Sequence, residues 1–192
     1  MLEEAHALVM ERNFEVVDIL KLPARPERRA SLPTSIRQGP IADRLAALRL
    51  GDGTAWSHQS EALELLERGR NVVVATGTAS GKTLIFQLRA LDILTRDPEA
   101  KVLVFYPLKA LAADQHARWI SFSQAAGLGG GAVARIDGDV PTGERQGLLE
   151  RASVVLMTPD VCQAWFMRSV GTAPIRRFLD DLSLLVMDEA HV

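Results

Sequence analysis

Short apolar runs alternate with amphipathic stretches along most of the chain. Apolar runs at residues 72–75, 102–106, 132–136, 153–157 and 182–187 predict strands, because parallel strands covered on both faces lack a polar alternation. Apolar residues at helical spacing predict helices over residues 84–94, 108–119, 142–149 and 161–168. This order predicts a doubly wound α/β domain, with a mainly parallel sheet and helices on both faces.

The pattern is less regular before residue 51. It predicts a short helix and then a strand over residues 14–20, a proline-rich irregular or extended arm over residues 22–40, and a helix over residues 41–50. A further helix is predicted over residues 56–67, with Ser57 as its N-cap. We therefore interpret residues 1–50 as an N-terminal extension and residues 51–192 as the main domain.

A strand, a loop of small residues, a Lys-Thr pair and a helix follow one another around residues 71–94, as in a phosphate-binding loop. Lys82 would reach the β and γ phosphates, and the Thr83 hydroxyl would bind Mg²⁺. Thr76 and Ala79 depart from the general glycine pattern, so an ordinary β-turn-α connection is the alternative. The candidate ATP-binding residues of the loop are Thr76, Gly77, Thr78, Ala79, Ser80, Gly81, Lys82 and Thr83.

Acidic residues follow the last predicted strand. Asp188 at the tip of a buried strand suits a Mg²⁺ site beside a phosphate loop, and Glu189 can polarise a water aimed at the γ-phosphate. His191 can link the nucleotide site to a neighbouring surface. The alternative is that these residues form an ordinary turn at the strand end with no catalytic role. The phosphate loop upstream in the same predicted sheet favours the Mg²⁺ site over this alternative.

Every candidate site lies at the carboxyl end of a predicted strand, where ligands bind in such sheets. Two further strand ends belong to this set, and their residues are Pro107, Leu108, Lys109, Thr158, Pro159 and Asp160. Upstream of the loop, the Gln59 amide can offer one donor and one acceptor to an adenine edge. A plain surface glutamine is the alternative for Gln59.

Composition limits the functional classes. The formal net charge of −2 gives no overall basic field, although residues 21–50 hold seven basic side chains against two acidic ones. That segment either contacts phosphates or is a solvated arm. One cysteine, Cys162, and four scattered histidines exclude an internal disulfide and a zinc set. No apolar run approaches a membrane span, and the first residues lack a secretory signal, so we expect a cytoplasmic protein.

These motifs together resemble the superfamily 2 DEAD/DEAH-box helicases, and most closely the bacterial YprA-like helicases, which include DNA-repair members. The resemblance runs from about residue 19 to the end. It is carried by Leu22-Pro-Ala-Arg25, Ser57-His-Gln59, residues 75–83, Tyr106-Pro-Leu-Lys-Ala-Leu-Ala112 with Asp114-Gln115, Asp137-Gly-Asp139 and Asp188-Glu-Ala-His191. Ala79 is usual in this group, so its departure from the general loop supports the resemblance.

The resemblance implies a RecA-like domain that binds ATP and Mg²⁺, with Gln59 at the adenine. Catalysis would fall to Lys82, Asp188 and Glu189, and coupling to His191. Residues 107–109 and 158–160 would lie along a tracked single strand of DNA. The expected partners are this nucleic acid and a second RecA-like domain of the same full-length chain, which we expect to act as a monomer.

The resemblance also implies that residues 51–192 form a first motor domain truncated after the acidic motif. Alone, such a domain is expected to bind nucleotide weakly, without useful hydrolysis. The alternatives are a P-loop ATPase or kinase that acts on another substrate, and a nucleotide-binding module without catalysis.

Overall fold

The computed structural model describes residues 28–76, 80–129 and 132–189 of the 192-residue chain. Its described helices and strands run, in chain order, β1 (Arg29–Ser31), α1 (Thr34–Arg37), β2 (Thr54–Trp56), α2 (Ser57–Glu67), α3 (Lys82–Arg96), β3 (Lys101–Phe105), α4 (Lys109–Ala125), β4 (Val133–Ile136), α5 (Thr142–Arg151), β5 (Val154–Met157), α6 (Pro159–Val161), α7 (Ala173–Asp180) and β6 (Leu182–Met187). None of the helices in these ranges is long and apolar enough to cross a membrane.

The central sheet has four strands in the order β4-β5-β3-β6. All three pairings are parallel. The mainly parallel sheet predicted from the apolar runs is therefore confirmed. Parallel pairing places the carboxyl ends of all four strands at one edge of the sheet. At that edge, residues 107–109 follow β3, residues 158–160 follow β5 and Asp188 follows β6.

Helices cover both faces of this sheet. Val102 and Val104 point to one face, where they pack in a buried cluster with Trp119 of α4 and Leu94 of α3. Residues of the opposite parity point the other way, because side chains alternate along a strand. On that second face, Leu103 and Val155 share a cluster with Leu149 of α5 and with Ile175 and Phe178 of α7.

The described residues before the phosphate loop form a third cluster. β1 and β2 pair in a two-stranded antiparallel sheet. Leu32, Ile36 and Ile41 are buried together with Leu63 of α2 and Leu88 of α3. The segment after residue 28 is thus attached to the main domain through a shared hydrophobic core.

The helix predicted over residues 41–50 is wrong. A short 3₁₀ helix, Ala42–Arg44, is followed by tight turns. In the last of these turns the backbone N–H of Leu50 donates to the Leu45 carbonyl at 2.7 Å. Arg49 has a positive φ of 61°, which ends any regular helix at that position. The apolar spacing that indicated a helix instead buries Ile41, Leu45 and Leu50 in the third cluster.

The strand predicted over residues 72–75 is also wrong. Within the described residues, the segment 71–76 joins no sheet. Val72 and Val74 pack partly against the third cluster, whereas Val73 is 95% exposed. The apolar run is therefore covered on one side only, so it lacks the burial on both faces that the strand prediction assumed.

Three smaller predictions need correction or lie outside the described residues. Helix α2 begins at Ser57, and the capping position is Trp56, one residue before the predicted cap. The helix predicted over residues 161–168 is a single α-helical turn followed by a π segment, Cys162–Phe166, and a 3₁₀ turn, Met167–Ser169. The helix and strand predicted before residue 21 lie outside the described residues.

Candidate nucleotide-binding site

The phosphate loop is closed on itself by polar contacts between its two ends. Lys82, the first residue of α3, donates from Nζ to the Thr76 carbonyl at 3.0 Å. The hydroxyls of Thr76 and Ser80 lie 2.6 Å apart, within hydrogen-bond distance. Gly77, Thr78 and Ala79, which the sequence also assigns to the loop, lie outside the described residues. The Lys82 ammonium at the start of α3 thus contacts the backbone at the other end of the loop.

Two consecutive side chains of α2 contact two consecutive carbonyls of the loop. His58 Nε2 lies 3.0 Å from the Ser80 carbonyl, and Gln59 Nε2 donates to the Gly81 carbonyl at 2.9 Å. The Gln59 Oε1 accepts from the backbone N–H of Trp56 at 2.9 Å. Gln59 is only 2% exposed, so its amide connects the start of α2 to the loop. Its contact with an adenine stays a prediction.

Gly81 is required by its conformation and by its surroundings. Its φ of +76° lies in the left-handed region, and a Cβ there would lie 2.6 Å from Gln59 Nε2. A side chain at this position would therefore strain the backbone and displace the Gln59 amide. The close approach explains why the loop enters α3 through a glycine.

The acidic residues extend the end of β6. Asp188 N donates to the Phe105 carbonyl at 3.1 Å, which continues the pairing of β6 with β3 by one residue. Asp188 Oδ1 accepts from the Glu189 N–H at 3.0 Å. Glu189 has a positive φ of 53°, so the chain turns sharply after the strand. His191 lies outside the described residues.

One cavity of about 790 Å³ brings the loop and the acidic residues together. Ser80, Gly81, Lys82 and Thr83 line it, and Asp188 and Glu189 also line it. Burial raises the pKa of the Asp188 carboxyl above its usual 3.8, and the adjacent Glu189 raises it further, whereas the Glu189 N–H and the Lys82 ammonium lower it. Lys82 and Asp188 therefore face the same cavity with opposite charges.

The oxygen donors in the cavity could bind Mg²⁺ only together with further oxygen ligands that this part of the chain does not supply. Among the described residues, no group of three or more His, Cys, Asp and Glu side chains is arranged to hold a metal. The Thr83 hydroxyl and the Asp188 carboxylate are hard oxygen donors on the same cavity. Mg²⁺ commonly binds one or two protein oxygens and completes its shell with phosphate oxygens and water. The residues present therefore suit a metal that arrives with a nucleotide.

Sequence reasoning did not assign four polar side chains to this cavity, namely Gln87 of α3 and Gln115, Arg118 and Ser121 of α4. Gln115 is 7% exposed, and its Oε1 has no hydrogen-bond partner within the described residues. Leu111, Gln115 and Arg118 recur at helical spacing, so they share one face of α4. That spacing could have indicated a common environment, but not that the environment is the nucleotide cavity.

The residues predicted to bind nucleic acid lie at two adjacent strand ends. β3 and β5 are paired in parallel, so residues 107–109 and 158–160 follow neighbouring strands. Leu108 is 60% exposed, and the first turn after β5 exposes Pro159 and Asp160. Thr158 is 3% exposed, so its hydroxyl is not presented at the surface. Pro107 lies between β3 and α4 and is half-buried.

A parallel α/β sheet that holds a phosphate loop and a strand-end carboxylate on one cavity defines a P-loop nucleotide-binding domain. The chain belongs to the DEAD/DEAH box helicase family, whose profile matches residues 56–192. Members of this family bind ATP.

Named relatives agree with this membership. The chain is 38% identical over 138 residues to the ATP-dependent helicase HRQ1 of Saccharomyces cerevisiae, which covers 71% of this chain and 13% of that protein. It is 28% identical over 182 residues to the ATP-dependent helicase YprA of Bacillus subtilis, covering 95% of this chain and 24% of that protein. The chain thus spans a quarter or less of these relatives.

A solved structure also agrees with the fold. The DUF1998 helicase MrfA, bound to DNA and AMPPNP, superposes with a TM-score of 0.80 and 26% sequence identity. The superposition covers 100% of this chain and 26% of the MrfA chain. The RecA-like fold predicted from the sequence is therefore confirmed.

Proposed function

We propose that this chain is the nucleotide-binding motor domain of an ATP-dependent helicase or translocase that tracks along nucleic acid. The observation that carries the proposal is the single cavity lined by Lys82, Thr83, Asp188 and Glu189. Because the chain spans a quarter or less of its named relatives, strand tracking is a property of the full-length protein, in which a second RecA-like domain would complete the site.

The residues of the cavity have distinct roles in this proposal. An incoming phosphate takes the Lys82 ammonium from the Thr76 carbonyl, to which it donates at 3.0 Å. Thr83 and Asp188 would hold Mg²⁺, which would supply positive charge beside the phosphates when bound. Glu189 orients a water in line with the γ-phosphate and accepts its proton, since positioning and electrostatics dominate phosphoryl transfer. His191 passes the state of this site to the second domain.

Nucleic acid would lie across the ends of β3 and β5. Lys109 and the first turn of α4 follow β3, and Asp160 lies in the turn after β5. Backbone N–H groups at these ends can bind phosphates without a strongly basic surface, which agrees with a net charge of −2. The MrfA helicase was solved with DNA, and we propose single-stranded DNA as the ligand here, bound by a monomer.

The decisive experiment replaces Glu189 with Gln in the full-length protein. We expect ATP turnover to fall at least about 100-fold, the size of a lost catalytic base, while ATP binding persists. Turnover in the parent protein should rise with single-stranded DNA and not with small hydroxyl compounds. Glu64→Gln, which neutralises a carboxylate on the exposed side of α2, is the matched control and should leave turnover unchanged.

Two results would contradict the proposal. Unchanged turnover in Glu189→Gln would remove the assigned role of that carboxylate. Stimulation by a small hydroxyl compound instead of DNA would indicate a P-loop kinase.

A further inference from the structure

The loop after β4 contacts the residue that begins α4. Lys109 Nζ and Asp139 Oδ1 form an ion pair at 2.7 Å, with side chains that are 53% and 67% exposed. β5 lies between β4 and β3 in the sheet, so this ion pair joins the strand ends on either side of β5. The pair therefore lies across the surface that the proposed function assigns to nucleic acid.

Gly138 allows the lysine to lie directly against this loop. A Cβ at Gly138 would lie 2.9 Å from both Cε and Nζ of Lys109. Real Cβ atoms are essentially never found so close to another heavy atom, so any side chain at this position would push the ammonium away. Glycine at position 138 is therefore explained by the close approach of the Lys109 side chain. A left-handed backbone conformation is not the reason.

A buried carboxylate fixes the shape of the same loop. Asp137 is 0% exposed, and its Oδ1 accepts from the backbone N–H of Asp139 at 3.0 Å. Its Oδ2 lies 3.3 Å from Arg135 Nε. Because the backbone of Asp139 is held by Asp137, the Asp139 side chain is presented at a defined position beside Lys109.

The electrostatic surroundings of Lys109 are acidic. The hydrogen bond that Lys109 donates to Asp139 raises the pKa of Lys109, and the charges of Asp139, Asp137 and Asp160 raise it further. The same hydrogen bond lowers the pKa of Asp139. Both groups are therefore charged at neutral pH, and the ammonium is held by a carboxylate at the place where a phosphate would bind.

We propose that Asp139 is a positioning residue for nucleic-acid binding, which holds the Lys109 ammonium over Gly138 until a backbone phosphate takes the place of the carboxylate. The inference rests on the proposed function and adds the end of β4 to the nucleic-acid surface. A phosphate that binds Lys109 must replace the Asp139 carboxylate, so nucleic acid binds more weakly than it would to an unpaired lysine. The salt dependence of binding is also smaller, because the released carboxylate attracts cations while the phosphate gives them up.

The test measures binding of a fluorescein-labelled thymidine oligonucleotide to the full-length protein at a series of KCl concentrations. Asp139→Asn should tighten binding about two- to fivefold, the size of one exposed ion pair. It should also steepen the plot of log K against log salt by up to about 0.7, one single-strand phosphate contact. Gly138→Ala, which moves the ammonium without changing charge, should act in the same direction. Glu64→Gln removes the carboxylate of another exposed pair, with Arg68 at 3.8 Å, and should change neither quantity.

The double variant Lys109→Gln/Asp139→Asn decides whether Asp139 acts through Lys109. We expect Asp139→Asn to have no effect in the Lys109→Gln background. An equal gain in both backgrounds would show a simple repulsive charge and would overturn the inference. The inference would also be overturned if Asp139→Asn left binding unchanged while Lys109→Gln weakened it. In that case the proposed function would stand. If Lys109→Gln alone left binding unchanged, the nucleic-acid role of this strand end would fail, and the inference with it.

Discussion

The Gln59 side chain donates to the Gly81 carbonyl at 2.9 Å, across 22 positions of sequence. The same amide nitrogen occupies the space where a Cβ of residue 81 would lie. The first residues of α2 therefore pack directly against the residue that precedes α3. A change at either residue should alter the loop that surrounds the phosphate-binding lysine.

Gly81→Ala should impair nucleotide binding more than it impairs folding. The left-handed φ of +76° costs an alanine about 1 kcal/mol, and the new Cβ also displaces Gln59 Nε2. We expect the affinity for a fluorescent ATP analogue to fall at least about tenfold, because small displacements of a positioning loop are costly. Titration of the full-length protein with the analogue measures this.

Gly69→Ala is the matched control for that change. Gly69 has a φ of +70°, but a Cβ there would meet nothing within 4 Å. Its variant should lose a similar free energy of unfolding, about 1 kcal/mol, and keep its nucleotide affinity. Equal losses of affinity in the two variants would show that backbone strain, and not the Gln59 contact, is responsible.

Asp92→Ala should destabilise the fold strongly. Asp92 is 1% exposed and accepts from Arg96 Nε at 2.8 Å and from Arg89 at 3.1 Å. The Arg89 and Arg96 side chains are 23% and 47% exposed, so the main loss is that of two hydrogen bonds to a buried carboxylate. At about 1.5 kcal/mol for each such bond, we expect a loss of about 3 kcal/mol in the free energy of unfolding. Chemical denaturation followed by circular dichroism measures the loss.

An exposed ion pair on the neighbouring helix gives the comparison. Asp114 pairs with Arg118 at 3.1 Å, with side chains 54% and 66% exposed. Asp114→Ala should cost less than about 1 kcal/mol. A cost for Asp92→Ala as small as that for Asp114→Ala would show that the Asp92 site is not effectively buried.

Cys162 should react slowly with thiol reagents. Burial raises the pKa of its thiol above the usual 9.0, so little thiolate exists at pH 8. We expect alkylation by iodoacetamide to be slower than that of free cysteine and to keep accelerating above pH 9. Mass spectrometry of the peptide that contains Cys162 gives the rate, and a rate matching free cysteine would contradict this.

The sequence predicted the strands of the central sheet closely, whether or not both of their faces are buried. β5 is buried throughout and differs from its predicted range by one residue. β6 matches its predicted range, 182–187, although Leu185 and Met187 on one of its faces are exposed, so it is not the fully buried strand that the apolar run predicted. The run over residues 72–75 failed because its burial comes from the N-terminal cluster and not from a neighbouring strand. Apolar content thus indicates burial, but it does not specify the partner that provides it.

Local motifs predict Lys82, Thr83 and Asp188 as site residues, because the residue types and their spacing suit phosphate and metal chemistry. The structure places these three residues on one cavity. The Lys109–Asp139 pair spans 30 positions, and the Gln115 amide reaches the cavity only through the packing of α4. Such contacts depend on which strands are neighbours in the sheet. No local spacing in the sequence reports that order.

Asp188→Asn should stabilise the fold at neutral pH and at the same time remove the Mg²⁺ dependence of nucleotide binding. Because burial raises the folded-state pKa of Asp188 above 3.8, the folded state binds this proton more readily than the unfolded state. The stability contributed by the protonated form is lost as pH rises from the unfolded value through the raised folded value, so the ionised carboxylate is a cost at neutral pH. Asparagine removes that cost.

We therefore expect Asp188→Asn to raise the unfolding temperature at pH 7, by the equivalent of at most about 1 kcal/mol, since the side chain is only half-buried. The gain should shrink near pH 4, where the carboxyl of the parent protein begins to take up its proton. Binding of the fluorescent ATP analogue should lose its dependence on Mg²⁺, because an amide is a much weaker ligand for a hard cation than a carboxylate. A lower unfolding temperature at pH 7, or retained Mg²⁺ dependence, would contradict the placement of Asp188 as a destabilised metal-binding carboxylate.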